Sequence, residues 1–153
     1  MGTRERVAGF LSRSGAPYEL REFDESTRSS TLAAQALGCT VAEIAKSIVF
    51  VGSRTAVVIA SGDRRVSLPK LVRAVGDVRI ARPDEVRERT GFPVGGVPPF
   101  PHEDGVLVLP DVSLTRFREV WAAGGAPNTV FRMSPTEIVR LVGSGPFDLC
   151  EQL

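Results

Sequence analysis

The chain has 153 residues, 42% of them hydrophobic and 24% charged, enough apolar material for one domain that needs neither disulfides nor metal to hold a core. A formal net charge of +1 gives no strong global field, which argues against a protein that grips nucleic acid along an extended phosphate track. No apolar run approaches the roughly 20 residues of a bilayer span, so no membrane partner is expected.

The opening stretch, MGTRERVAGFLSRSG, lacks the apolar segment and small-residue cleavage site of a secretory signal, and cytoplasmic residence follows. Met-Gly would suit myristoylation, but Arg6 stands where that motif needs Ser or Thr. Within this stretch Val7, Phe10 and Leu11 recur at helical spacing up to Gly15, predicting a helix over 3–14. YELREF reads as a short strand. SSTLAAQALG, residues 29–38, opens on serine, continues in alanine and leucine and ends on glycine, which describes a short helix. Thr40 to Glu43 has capping-box spacing and predicts a further helical turn just before Lys46.

SIVFVGS and TAVVIAS are β-branched runs joined by Gly52-Ser53-Arg54, expected to form a buried antiparallel hairpin at the sheet centre. SLPKLVRAVG then reads as a helix, DVRIA as a strand, and RPDEVRERTG as a helix with acidic residues in its first turn and Gly91 at its end. Residues 91–105, GFPVGGVPPFPHEDG, are too rich in Gly and Pro for either and predict a structured loop. VLVLP and TVFRM read as strands, RFREVWAA as a strand or helix, and Ser134-Pro135-Thr136-Glu137 as a capping box before IVRLVG. The predicted class is α/β: a single domain, 1–153, with a mixed, largely antiparallel central sheet surrounded by helices.

The common catalytic devices are missing. His102 is the only histidine and no G-x-S-x-G elbow is present, so a Ser-His-Asp or Cys-His arrangement would have to be built from a proline-rich loop. Cys39 and Cys150 are far apart and read as reduced thiols, with no spacing for a disulfide or a metal site. No P-loop occurs. The arginine groups Arg64-Arg65, Arg79 with Arg82, and Arg87 with Arg89 read as solvated faces or as a local basic patch.

Two features remain. Of 19 basic residues only Lys46 and Lys70 are lysine, so an ammonium directly before SIVF is either a snorkelling surface group or a chosen one. The loop around Gly95-Gly96 is either a tight turn or a cradle whose backbone N–H groups hold a phosphate or an oxyanion.

Taken in order, L-G-(x)7-K-S-I-V-F, V-V-I-A-S-G-D-R-R-V, T-G-F-x-x-G-G-V-P-P and L-P-D resemble the YbaK/ProX family of aminoacyl-tRNA deacylases, whose domain is also inserted in bacterial prolyl-tRNA synthetases. The likeness runs from about Ser26 to Val142. It implies a free-standing editing hydrolase acting on the acceptor end of mischarged tRNA, without a cofactor or metal, with prolyl-tRNA synthetase as a candidate partner. Lys46, Gly95 and Gly96 take the family's catalytic positions. Substrate contacts are implied for Thr27, Ser30, Ser61, Gly62, Gly91, Val97, Pro98, His102, Asp111 and Gly124.

The cysteinyl-specific branch carries Ser-Gly-Gly and, five residues on, Asp, whereas this chain reads Ala123-Gly124-Gly125 and reaches Val130. STRSSTLAAQALG and VWAAGGAPNTVF look more like the branches related to alanyl-tRNA(Pro) deacylases. Deacylation of alanyl-tRNA(Pro) or of another small amino acid on that tRNA is therefore expected. The alternatives are a cysteinyl-tRNA(Pro) deacylase, a non-catalytic tRNA-binding module of the same fold, and a small-ligand domain built on the glycine loop.

Overall fold

The computed structural model describes residues 2–24 and 29–152. Helix α1 (Thr3–Arg13) and strand β1 (Glu19–Glu22) are followed by α2 (Ser30–Leu37), whose Ser29 side chain accepts from the Leu32 amide and whose end turns on Gly38 at φ 68°. The capping box forms as predicted: Glu43 closes a 3-10 turn (Val41–Glu43) by accepting from the Thr40 amide and hydroxyl. Strand β2 (Ile44–Gly52) starts at the next residue, so Lys46 is the third residue of the strand rather than the last before it.

The predicted hairpin pairs β2 with β3 (Thr55–Ser61), antiparallel from Ala45↔Ser61 to Phe50↔Ala56. Every residue of β3 is buried, as a central strand covered on both faces requires. The chain continues through α3 (Leu68–Val75), β4 (Val78–Ile80), α4 (Pro83–Thr90), the Gly/Pro loop, β5 (Val106–Pro110), β6 (Val120–Ala123), β7 (Thr129–Met133) and α5 (Pro135–Val142). Of RFREVWAA only the last four residues are strand. Asp111 caps a 3-10 segment (Val112–Arg116) by accepting from the Ser113 amide at 2.8 Å, and this segment takes up Arg116. The box at Ser134 is half made: its hydroxyl caps the Glu137 amide, while the Glu137 carboxylate turns forward to Arg140.

The seven strands lie in the order β1-β7-β6-β2-β3-β5, with β4 paired to β2 outside this path. β2·β6 and β3·β5 are parallel and the other four pairs antiparallel. This is the mixed, largely antiparallel sheet expected, and helices flank it. On one face Val7 and Leu11 of α1 and Ile138 of α5 pack with Val49, Val57, Ile59 and Phe131. Phe92 and Phe100 from the Gly/Pro loop join them, with the Phe10 and Phe100 rings stacked at 4.8 Å. On the other face α3 contributes Leu71 and Val75, which meet Phe50, Val58 and the C-terminal Leu149 and Cys150. Beside them α2 lays Ala33 and Ala34 on Ile44, Trp121 and Val130. Among the described residues no helix is long and apolar enough to cross a membrane.

Candidate active site

The parallel contact of β2 with β6 is only two residues long, Ile44↔Trp121 and Ala45↔Ala122. On the same edge β2 next pairs with β4, at Phe50 to Gly52. Between these contacts the edge at Lys46, Ser47 and Ile48 has no strand beside it among the described residues. A cavity of about 180 Å³ opens at this split. Ile44 to Ser47 form one lip and Trp121 to Ala123 the other; Ser30 and Ala33 of α2 close it from one face, and Val94, Gly95 and Val97 of the Gly/Pro loop from the other.

Side chains alternate along a strand, so Lys46 lies on the face of Ile44 and Ile48, beneath α2. Its ammonium donates to the Arg64 carbonyl. Burial lowers the Lys46 pKa below the ordinary lysine value, while Cys150 and the Asp63 carboxylate pull the other way. The turn that offers this carbonyl is itself fixed. Arg116 grips Asp63 through two bonds of 2.7 and 3.1 Å, and its Nε donates to the Ser113 carbonyl. Lys46 is therefore held in place rather than waving on the surface, and the snorkelling reading does not describe it.

Ser47 alternates to the opposite face, with Ala45 and Val49. Its hydroxyl is buried and has no hydrogen-bond partner among the described residues, an arrangement that normally leaves a donor waiting for one. Ser47 also lines, with Val94, Gly95 and Val97, a second small apolar hollow bordered by Ile80, Pro83 and Val86. The residue had half a signal in the sequence: strand alternation puts it on the face opposite Lys46, but only the structure shows that the glycine loop covers that face. Trp121, Ala33 and Val130 had none, because they reach the cavity only through β6, β7 and α2.

The cavity wall brings together Ser30, Lys46, Gly95 and Val97 of the sequence-derived set. Gly95 bends the loop at φ 83°. Gly96 stands behind the wall: its amide donates to the Pro93 carbonyl at 2.9 Å, and a Cβ there would lie 2.9 Å from the Ala126 backbone. Gly62 backs Ser30, since a Cβ on it would meet the Val41 carbonyl oxygen at 2.4 Å and the Ser30 Cβ at 3.0 Å. Ser61 pairs with Ala45, fully buried, its amide donating to the Ser113 hydroxyl.

The remaining positions are outside the wall and have work of their own. Gly91 ends α4 at φ 78°, Pro98 offers its carbonyl to His102, and Gly124 starts the turn from β6 to β7 by donating to the Thr129 carbonyl. Asp111 is 1% exposed, with one carboxylate oxygen on the Ser113 amide and the other on the Leu149 amide. Thr27 lies outside the described residues. Neither cysteine borders the cavity, and burial with the nearby Asp111 pushes the Cys150 thiol up to about 12.

His102 makes a separate, measurable statement. Its Nε2 donates to the Pro98 carbonyl at 2.7 Å, and its Nδ1 is buried without a partner among the described residues. Protonation would place a second N–H where no described residue accepts it. Burial, partly opposed by the Pro98 bond, lowers the pKa below the ordinary 6.5. The neutral ring is thus favoured in the fold, so stability is full above the unfolded pKa and declines as pH falls from about 6.5 toward the lower folded value. As the chain has one histidine, Tm should drop between about pH 7.5 and about pH 5.5 and the drop should shrink in His102→Gln. A wild-type Tm level across that window would contradict the burial of a neutral ring.

The comparison with known proteins agrees with this architecture. The family model for the aminoacyl-tRNA editing domain matches residues 24–141, and the chain belongs to that family. It is 34% identical over 123 residues to the uncharacterized protein YwhH of Bacillus subtilis (strain 168), covering 78% of each chain. A crystal structure described as a candidate trans-editing enzyme for prolyl tRNA synthetase is 42% identical and superposes with a TM-score of 0.88 over 99% of both chains. That of hypothetical protein APE2540 is 31% identical, with a TM-score of 0.89 over 95% of this chain and 99% of the other.

Proposed function

We propose that this chain is a trans-acting deacylase, one domain working in the cytoplasm, that hydrolyses a small mischarged amino acid from tRNA(Pro), with alanine the leading substrate. The observation that carries the reading is the cavity itself. It joins a fixed ammonium, a backbone loop bent at Gly95 and a serine hydroxyl without a partner among the described residues to apolar walls, and among those residues no carboxylate, histidine or cysteine borders it. Such a set suits a substrate that is already activated.

An aminoacyl ester is such a substrate. Its carbonyl carbon needs only positioning, a stabilised oxyanion and a water. In the step proposed, water adds to that carbon, the ester C–O bond breaks, and the proton released from the water passes to the departing ribose oxygen, with the neighbouring ribose hydroxyl as the natural relay. Free amino acid and uncharged tRNA leave, and no covalent enzyme intermediate forms. Lys46 supplies positive charge for the phosphate or ribose of the terminal nucleotide, the loop at Gly95 offers backbone N–H groups, and Ser47 gives the remaining hydrogen bond.

A synthetase for proline cannot exclude smaller amino acids by size, whereas a second, tighter site admits them and refuses the ring. Single-turnover hydrolysis of alanyl-, seryl-, cysteinyl- and prolyl-tRNA(Pro) tests the proposal. Alanyl-tRNA(Pro) is expected to be released fastest and prolyl-tRNA(Pro) to be spared. Rapid release of proline would overturn the editing role, and cysteine as sole substrate would favour the cysteinyl-specific alternative. Binding of tRNA without hydrolysis of any of the four would favour the non-catalytic module.

A further inference from the structure

Trp121 occupies an unusual place. It is the chain's single tryptophan, it stands beside Ile44 in the short parallel pair, and it is 7% exposed, packed with Ala33, Ile44 and Val130. Among the described residues it is also the one common to the walls of two cavities, the 180 Å³ site on one side and a space of about 340 Å³ on the other. The second space is lined by polar and charged groups, among them Arg21, Arg118 and Arg132, with Leu37 and Phe117.

The ring is backed as well as packed. The Arg21 guanidinium lies 5.1 Å and that of Arg132 5.5 Å from the ring, both within cation–π range. Both arginines are tied to Glu19, at 2.6 and 2.9 Å. Ala33 and Val130 fix the indole within its own cluster while two tethered cations stand against it, so swinging aside would cost packing and charge contacts together.

We propose that Trp121 is the size gauge of the site: its indole is the partition that stops the substrate's side chain, and removing it would open the site into the space behind. This rests on the reading that the 180 Å³ cavity receives the aminoacyl group. A rigid partition gives a kind of selectivity that apolar contact alone does not. One methylene in a yielding pocket changes discrimination by only roughly 10- to 200-fold, whereas a wall that cannot move refuses whatever overlaps it. Alanine then fits in front of the ring, and branched or cyclic side chains meet it.

The test compares wild type, Trp121→Ala and Trp121→Phe on tRNA(Pro) charged with alanine, valine or proline, under single-turnover conditions. The valyl-to-alanyl and prolyl-to-alanyl rate ratios should rise at least about tenfold in Trp121→Ala, and less in Trp121→Phe. Ratios that stay level while all three rates fall together would overturn the proposal, because a ring that stacks on the terminal base serves every substrate alike. Should Trp121→Ala fail to fold, Trp121→Phe carries the same comparison. A second readout needs no turnover: a non-hydrolysable 3′-alanylamino-adenosine should shift the fluorescence of the single tryptophan of wild type saturably, and emission unchanged at saturation would overturn the placement. A wild type that hydrolyses none of these aminoacyl-tRNAs would defeat the deacylase reading; one that hydrolyses alanyl-tRNA(Pro), with unmoved ratios in the variants, would defeat the gauge alone.

Discussion

Lys46→Ala is expected to lower the single-turnover rate on alanyl-tRNA(Pro) on the order of 10²-fold, the usual cost of misplacing a reacting group, while the fold persists. The ammonium is the one lysine charge in the cavity wall, and the Arg64 carbonyl with the Asp63–Arg116 pair behind it sets its position. On the proposed mechanism, removing it leaves the terminal nucleotide without a charged anchor. The stability cost is about one charge-assisted hydrogen bond, on the order of 1.5–3 kcal/mol, so circular dichroism should remain that of wild type. Lys46→Arg should also be impaired, because the planar guanidinium is broader than an ammonium and donates in a different geometry. The lowered lysine pKa adds a direction: as pH rises, activity should begin to fall at a value below that of an ordinary lysine. Near-normal rates in both variants would remove Lys46 from the mechanism.

Gly96→Val should cost stability as well as activity. A Cβ at this position would stand 2.9 Å from both the Ala126 Cα and amide nitrogen and 3.0 Å from the Gly125 carbonyl carbon, and these are backbone atoms that cannot step aside alone. Overpacking of this kind typically costs about 1–3 kcal/mol, and each kcal/mol lowers Tm by roughly 2–4 °C in a domain of this size. The loop would be pushed from the turn after β6, carrying Gly95 and Val97 out of the cavity wall. Thermal melting and the alanyl-tRNA(Pro) assay should therefore fall together. A variant with the wild-type Tm and no activity would mean that Gly96 meets the substrate directly; one with the wild-type Tm and full activity would mean that the loop does not depend on this close approach.

The local elements were legible because their signals are local. Ser29 and Gly38 bound α2 through their own side-chain acceptor and φ, and Thr40 with Glu43 closes its turn within four residues. The β2–β3 hairpin followed from two β-branched runs a few residues apart. What did not follow was the split between β2 and β6, since Ile44 meets Trp121 across 77 positions of chain and no periodicity records that pairing. For the same reason Lys46 and Gly95 were visible as oddities of composition but their shared cavity was not. Asp111 and Gly96 show the opposite effect. Each stands out in the sequence as a residue with chemistry or freedom, and each is taken up by backbone: Asp111 by the amides of Ser113 and Leu149, Gly96 by its approach to Ala126.

The central assignment is that the split between β2 and β6 receives the aminoacyl ester. A crystal structure with 3′-alanylamino-adenosine, in which an amide replaces the ester, tests it most directly. The alanyl methyl is expected between Ala33, Val130 and the Trp121 ring, with a polar atom of the nucleoside within hydrogen-bond reach, about 2.7–3.2 Å, of Lys46 Nζ or the Ser47 hydroxyl. Analogue bound elsewhere on the protein, with the split left empty, would contradict the assignment.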